Sequence, residues 1–301
     1  MAVNFRCGMV SIVGRPNVGK STLLNRLVGQ KIAIVTDVPQ TTRQQIRGIY
    51  NDERGQIVFI DTPGLHAGRD KLAQMMQQSA YNMTADVDCV IHLVDSSEHV
   101  GKEEEQIVER LKHVSLPIIL GLNKVDMKGK YIPEYIELWE RTKGKSVNEF
   151  EKFVLMPLSG KTGTNIEKLY DTIFDFLPEG PALYPTDTVT DTPQKMAIAD
   201  IIREKLFLLM REEVPHAIAV VVEAIEPRRG KTLHIRAVVL VERDSQKAMV
   251  IGKNGEVLKQ AGTLAREELE VLLDQKVFLE LFVKTQPEWR NDASILQEMG
   301  Y

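Results

Sequence analysis

Apolar positions along the chain fall into two rhythms. Five short, mostly apolar runs, Met9–Val13, Gln56–Ile60, Asp88–Val94, Pro117–Leu122 and Phe153–Leu158, predict buried strands. Between them the apolar period stretches to that of a helix. Leu23, Leu24, Leu27 and Val28 share one face, Lys71–Met83 reads as a helix, and Lys102–His113 turns Ile107, Val108 and Leu111 inward. A further helix is predicted from about Asn165 to Phe176. The Glu103-Glu104-Glu105 run is expected on a solvated face, and His92, inside the third run, as a core or edge histidine. Strands alternating with helices predict an α/β, doubly wound parallel sheet, which places ligand-bearing segments at strand C-termini.

The alternation stops at Leu177–Pro193, where Pro178, Gly180, Pro181, Pro185 and Pro193 suppress regular structure. This divides the chain into a first domain over 1–178, a linker over 179–192 and a second domain over 193–301. In the second, a helix opens at Thr192-Pro193 and runs through Ile198, Ile201, Ile202, Lys205, Leu206 and Leu209. Two β-rich runs follow, Ala217–Ala224 and Thr232–Val241, with a turn at Pro227–Gly230 between them. After Val250–Gly255 come a long helix, Glu256–Leu273, and a strand, Val277–Val283, an α+β order.

Composition narrows this picture only slightly. The 301 residues suit two domains, at about 150 residues each. With 43% hydrophobic and 27% charged residues the chain reads as globular and soluble. No apolar run is long enough to span a bilayer, and Met1–Cys7 lacks the shape of a signal peptide. Cys7 and Cys89 are the only cysteines, which argues against a disulfide framework or a cysteine zinc site and for a reducing cytoplasm. A net charge of −4 confines any nucleic-acid surface to a local patch. There is no internal repeat.

The chemistry is concentrated at the ends of the predicted strands. Gly14-Arg15-Pro16-Asn17-Val18-Gly19-Lys20-Ser21, followed by Thr22, has the G-x-x-x-x-G-K-S spacing of a phosphate-binding loop between strand and helix. Its backbone N–H groups can turn around a triphosphate and the helix N-terminus adds positive potential there. Lys20 would reach the β- and γ-phosphates, and Ser21 would hold Mg²⁺. Thr36–Gln45 reads as a polar loop. A threonine there, Thr41 or Thr42, stands where a nucleotide switch contacts Mg²⁺ and the γ-phosphate. Asp61-Thr62-Pro63-Gly64 closes the second strand, giving a carboxylate for Mg²⁺ and a glycine N–H for the γ-phosphate. Asn123-Lys124-Val125-Asp126 closes the fourth. Asp126 can accept from the guanine ring N–H and exocyclic amine, Asn123 can tie the segment to the phosphate loop, and the Lys124 stem can cover the base. The backbone of Ser159-Gly160, with Lys161 after it, would lie under the guanine carbonyl.

These motifs, in this order over residues 8–177, resemble the translation-factor class of GTPases with five G-motifs. Leu65 stands where many small GTPases have a water-orienting glutamine, so hydrolysis needs another source of help. Asn17 is similar to the asparagine that binds K⁺ in a subset of these enzymes, which implies K⁺ in place of an arginine finger. Lys20, Thr42, Gly64 and Asn17 are therefore the expected catalytic residues, and Ser21, Thr42 and Asp61 the expected Mg²⁺ ligands. The second domain resembles a type II KH domain: Gly252-Lys253-Asn254-Gly255 joins two helices as the G-x-x-G loop that passes single-stranded nucleic acid. Lys253 and Lys259 would contact phosphates, with Lys247 nearby, and Val250 and Ile251 would floor the bases. Arg228, Arg229 and Lys231 fit either an extension of that surface or a solvated turn.

A P-loop GTPase domain followed by a KH domain resembles the Era family of bacterial GTPases. The likeness extends to Gln40-Thr-Thr-Arg43, Asp61–His66 and Ile202-Arg-Glu-Lys205. The resemblance implies a GTP/GDP switch that binds 16S rRNA near its 3′ end and assists assembly of the 30S ribosomal subunit. It also implies a cytoplasmic monomer, without DNA as a partner, partly associated with the inner face of the membrane. Two rival readings remain: a scaffold with an incidental nucleotide site, and a GTPase whose KH-like domain binds protein or membrane partners.

Overall fold

The structure, a computed structural model, describes residues 5–36, 43, 45–62, 70–81, 84–210, 217–228 and 232–301. Two compact units are present, one of 1–33, 42–67 and 76–191, the other of 34–41, 68–75 and 192–301.

The first unit is built on a six-stranded sheet of order β2-β3-β1-β4-β5-β6. Its strands are β1 (Arg6–Val13), β2 (Ile46–Asp52), β3 (Gly55–Asp61), β4 (Cys89–Asp95), β5 (Ile118–Asn123) and β6 (Phe153–Pro157). All neighbours are parallel except β2, which pairs antiparallel with β3 from Ile46↔Asp61 to Asp52↔Gly55. Every residue of β3, β4 and β5 is buried, because helices cover both faces. One face packs Leu23, Leu24 and Leu27 of α1 (Lys20–Val28) and Leu169, Ile173 and Phe174 of α5 (Ile166–Phe176) on Ile12, Ile57, Phe59 and Ile91. The other packs α3 (Lys102–Leu111) and α4 (Ile132–Lys143) on Val90, Val94 and Leu120. The helix α2 spans Lys71–Tyr81.

Three features depart from the expected pattern. The strand β2 is absent from it, and makes the sheet mixed; its Arg47, Asn51 and Asp52 dilute the apolar signal of an edge strand. Helix α4 is also absent from it, although proline near its start and Gly144 in the left-handed region at its end (φ 69) mark both boundaries. Glu104 is not solvated. It is 0% exposed, while Glu103 and Glu105 are exposed as expected.

The proline-rich segment has no regular structure but is fastened to the first unit's sheet. The Val189 carbonyl accepts from Ile49 N–H (2.8 Å), and the Thr190 hydroxyl donates to the Arg47 carbonyl (2.7 Å). Buried Gln56 fills every hydrogen-bonding position of its amide. It accepts from the N–H groups of Leu183 and Tyr184, and donates to Asn51 Oδ1 and the Tyr184 carbonyl, all within 2.9 Å.

The second unit has a three-stranded sheet of order β7-β8-β9, comprising β7 (Ala219–Arg228), β8 (Thr232–Val241) and β9 (Val277–Thr285). β7 runs antiparallel to β8, with a bulge between Val222 and Ala224, and β9 runs parallel to β8. One face carries α6 (Gln194–Leu209) and α8 (Glu256–Leu272). Ala261 and Ala265, one turn apart on α8 and both fully buried, keep the contact close. Helix α7 (Asp244–Ile251) precedes α8, and a short α9 (Ala293–Glu298), beyond the expected elements, is capped by Asp292. Among the described residues no helix is long and apolar enough to cross a membrane.

His92 is a core residue at 0% exposure, its Nδ1 accepting from Trp139 Nε1 at 3.2 Å. Burial lowers its pKa from 6.5 to about 3. Between those values the unfolded chain binds the proton and the folded one does not, so stability rises with pH across that window, by up to about 1.4 kcal/mol per pH unit. His92→Gln should flatten the dependence of unfolding free energy on pH between 4 and 6.5, measured by urea titration.

Candidate nucleotide site and nucleic-acid loop

Four described segments at the C-terminal edge of the first sheet converge. The phosphate loop leaves β1 at Val13 and enters α1 at Lys20. Its path demands glycine. A Cβ on Gly14 would lie 2.2 Å from the Leu93 carbonyl oxygen, and one on Gly19 (φ 99) would lie 2.5 Å from Asn123 Nδ2. Asn17 also adopts the left-handed region, φ 63. The Lys20 ammonium folds back on the loop, donating to the carbonyls of Gly14 (2.8 Å) and Arg15 (3.0 Å). Burial holds its pKa below the ordinary lysine value, with Asp61 opposing.

Ser21 Oγ donates to Asp61 Oδ2 at 2.9 Å, and Asp61 is 0% exposed. A hydroxyl and a single carboxylate of hard oxygen character fit Mg²⁺, which keeps water and phosphate oxygens for the rest of its shell. No cluster of three or more carboxylate, imidazole or thiol groups placed to hold a metal occurs among the described residues. Thr62 Oγ1 donates to the Ile12 carbonyl (3.1 Å), tying β3 to β1 beside the loop.

Asn123 is the bracket of the site. Its Nδ2 donates to the Val18 carbonyl at 2.7 Å, and its Oδ1 accepts from Gly160 N–H at 3.0 Å. Thus the end of β5 holds the phosphate loop on one side and the Ser159–Lys161 segment on the other. Lys124 (φ 61) donates to the Asn17 carbonyl at 2.9 Å. Asp126 is exposed, and its carboxylate has no hydrogen bond or ion pair among the described residues. The Ser159 hydroxyl, fully buried, accepts from Thr162 N–H, which closes that loop. Of the expected site residues, Thr42, Pro63, Gly64 and Leu65 lie outside the described residues, as does Thr41.

Four contributors, Arg26, Glu98, Glu104 and Asp95, were missing from the motif reading. Arg26 of α1 reaches the carbonyls of Gly160 (3.3 Å) and Lys161 (2.7 Å). Arg15 pairs with Glu98 and with buried Glu104, both at 2.7 Å. Burial raises the Glu104 pKa, and Arg15 opposes the shift. Asp95, at the end of β4, pairs with Lys124. Asp95 had a sequence signal, since it ends a buried run as Asp61 and Asn123 do; Glu104 and Arg26 had none.

In the second unit, α7 ends at Ile251 and α8 begins at Glu256. Gly252 (φ 74), Asn254 (φ 53) and Gly255 (φ 78) all take the left-handed side, which turns the chain between the helices. A Cβ on Gly252 would lie 2.4 Å from Val257 Cγ2. Lys253, Asn254 and Lys259 are exposed, and neither lysine side chain is paired among the described residues. Val250 corrects its expected role. It is 0% exposed within the core, so of the pair only half-buried Ile251 reaches the surface. Arg228 stacks over Phe278 of β9, 4.7 Å from the ring centre, while Arg229 and Lys231 lie outside the described residues.

Comparison with known proteins identifies two families along the chain. Residues 9–124 match the 50S ribosome-binding GTPase family and residues 213–290 match the KH domain. The chain is 45% identical to GTPase Era of Halothermothrix orenii over 99% of both chains. It is 46% identical to GTPase Era of a Geobacter species, over 99% of this chain and 98% of that one. Two solved Era structures superpose with a TM-score of 0.90 over 99% of each chain. One, 37% identical, is a variant of the Aquifex aeolicus protein with GDP and AlF₄⁻. The other, 36% identical, is in complex with MgGDPNP and nucleotides 1506–1542 of 16S rRNA. The chain belongs to the Era family of GTPases.

Proposed function

We propose that this GTPase is a switch whose KH domain takes single-stranded RNA at the 3′ end of 16S rRNA and that it serves assembly of the 30S subunit. The observation that carries the nucleotide half is the Asn123 bracket with the unpartnered Asp126 carboxylate beside it. Guanine offers a ring N–H and an exocyclic amine to that carboxylate; adenine offers no such pair and would leave it unsatisfied. The Ser159–Gly160 backbone meets the guanine carbonyl and the Lys124 stem covers the ring. At the other end, Lys20 exchanges its two loop carbonyls for β- and γ-phosphate oxygens. Ser21 and Asp61, with Thr42, would hold Mg²⁺, which supplies charge neutralisation on the phosphates.

In the reaction, water attacks the γ-phosphorus, the bond to the β-phosphate oxygen breaks, and GDP and phosphate leave. Leu65 has no group to orient that water, so Gly64 N–H and a K⁺ ion that Asn17 would help hold would carry the stabilisation. Thr36–Gln45 and Leu65–Asp70 are the segments whose order would depend on the γ-phosphate. Coupling to RNA requires that both ligands bias one shared equilibrium. The RNA half is supported by a glycine-turned loop bearing Lys253, with Lys259 on the helix after it, neither side chain paired among the described residues, and by the relative crystallised with an rRNA segment. The same reading puts the chain in the cytoplasm, with peripheral contact at the inner membrane face.

Three outcomes test this reading. Asn123→Ala should weaken GDP binding by about a hundredfold, through two lost buried hydrogen bonds, measured by fluorescent nucleotide titration. Replacing K⁺ by Na⁺ should slow GTP hydrolysis in the native chain and leave Asn17→Ala unchanged; equal native rates in both salts would remove K⁺ from the mechanism. Lys253→Glu with Lys259→Glu should weaken binding of a short RNA carrying the 16S 3′ end and reduce its salt dependence by about two counterions. RNA affinity untouched by this double substitution would shift the second domain toward a protein or membrane partner.

A further inference from the structure

Asp95 is the last residue of β4 and lies opposite Asn123 in the β4–β5 register. It is 2% exposed, and its two oxygens have separate duties. Oδ1 accepts from the backbone N–H (3.0 Å) and hydroxyl (2.6 Å) of Ser97, closing the turn after the strand. Oδ2 meets the Lys124 ammonium at 2.6 Å. The Lys124 side chain is therefore held at its tip between a buried carboxylate and the Asn17 carbonyl of the phosphate loop. Its left-handed backbone turns the stem toward both. The neighbouring residue strengthens the same junction: Ser96 donates from its N–H (3.0 Å) and its hydroxyl (2.5 Å) to the Asn123 carbonyl. Tyr135 of α4 pins the Asp95 carbonyl at 2.9 Å.

We propose that Asp95 is a positioning residue for the guanine base, acting through Lys124. A lysine stem in solution samples many rotamers. Fixed at its ammonium, it presents one apolar edge to the face of the base, and the ordering cost is met before the nucleotide arrives. Asp95 does not touch the nucleotide, so its effect falls on binding of the base and not on phosphoryl transfer. The proposal rests on the reading of Asn123–Asp126 as the base site.

Two variants of the full chain isolate this effect. Asp95→Asn keeps a carbonyl for Ser97 but turns an amide N–H₂ toward the ammonium, so the turn survives and the lysine is released. Lys124→Met keeps an apolar stem of similar length without the anchored charge. Each should raise the Kd for GDP about tenfold, and raise it by the same factor for inosine diphosphate, which lacks the exocyclic amine. Each should raise KM for GTP while kcat stays within about twofold, and the double variant should bind no worse than Lys124→Met alone. Unchanged GDP affinity in Asp95→Asn overturns the proposal. So does an additional loss when Asp95→Asn is placed on Lys124→Met, because a purely structural role would add to it. Asp126→Ala serves as the separate check. It should abolish the preference for guanosine over inosine diphosphate; a preference retained there would remove the base-site reading itself, and the proposal with it.

Discussion

One carboxamide holds the nucleotide site together. Asn123 donates to the phosphate loop through Val18 and accepts from Gly160, so a single buried side chain sets the spacing between the segments assigned to phosphate and base. Both bonds are shielded from water, which raises the cost of losing either. The surrounding geometry is built to admit it. Gly19 has no Cβ because Asn123 Nδ2 would occupy that volume, and Gly160 packs against the Leu23 backbone, where a Cβ would come within 3.2 Å. The parallel strands then supply the rest, since β1, β3, β4 and β5 all deliver their final residues to the same edge.

Around that bracket lies a set of charged contacts that motifs alone do not describe. Arg15, inside the phosphate loop, is turned to Glu98 and Glu104, and Lys124 is turned to Asp95. The three carboxylate partners run from the last residue of β4 into the first turn of α3, a stretch outside the five G-motifs. That stretch fixes the two basic side chains flanking the site.

How much of this was legible follows from where the partners sit in the chain. The phosphate loop, Asp61, Asn123–Asp126 and Gly252–Gly255 each carry their constraint within a few consecutive residues, and the helix and strand boundaries around them follow from local periodicity. Glu104 misled because its two glutamate neighbours are exposed and its own burial depends on Arg15, which is remote in sequence. Val250 misled in the opposite way: an apolar residue beside a binding loop looks like a floor, but helix α7 turns it into the core. The strand β2 was hidden by its polar edge, and α4 by the absence of a functional motif, although its proline and glycine ends were readable.

Lys20 shows what burial asks of the phosphate loop. Its ammonium is buried and, among the described residues, donates to two carbonyls of its own loop. The chain thus folds around a desolvated cation, and burial penalises its charge. A ligand that binds only the folded chain adds to its stability by mass action. If the anion of such a ligand met this ammonium, affinity and resistance to unfolding would rise together, and one residue would couple the catalytic cycle to the lifetime of the fold.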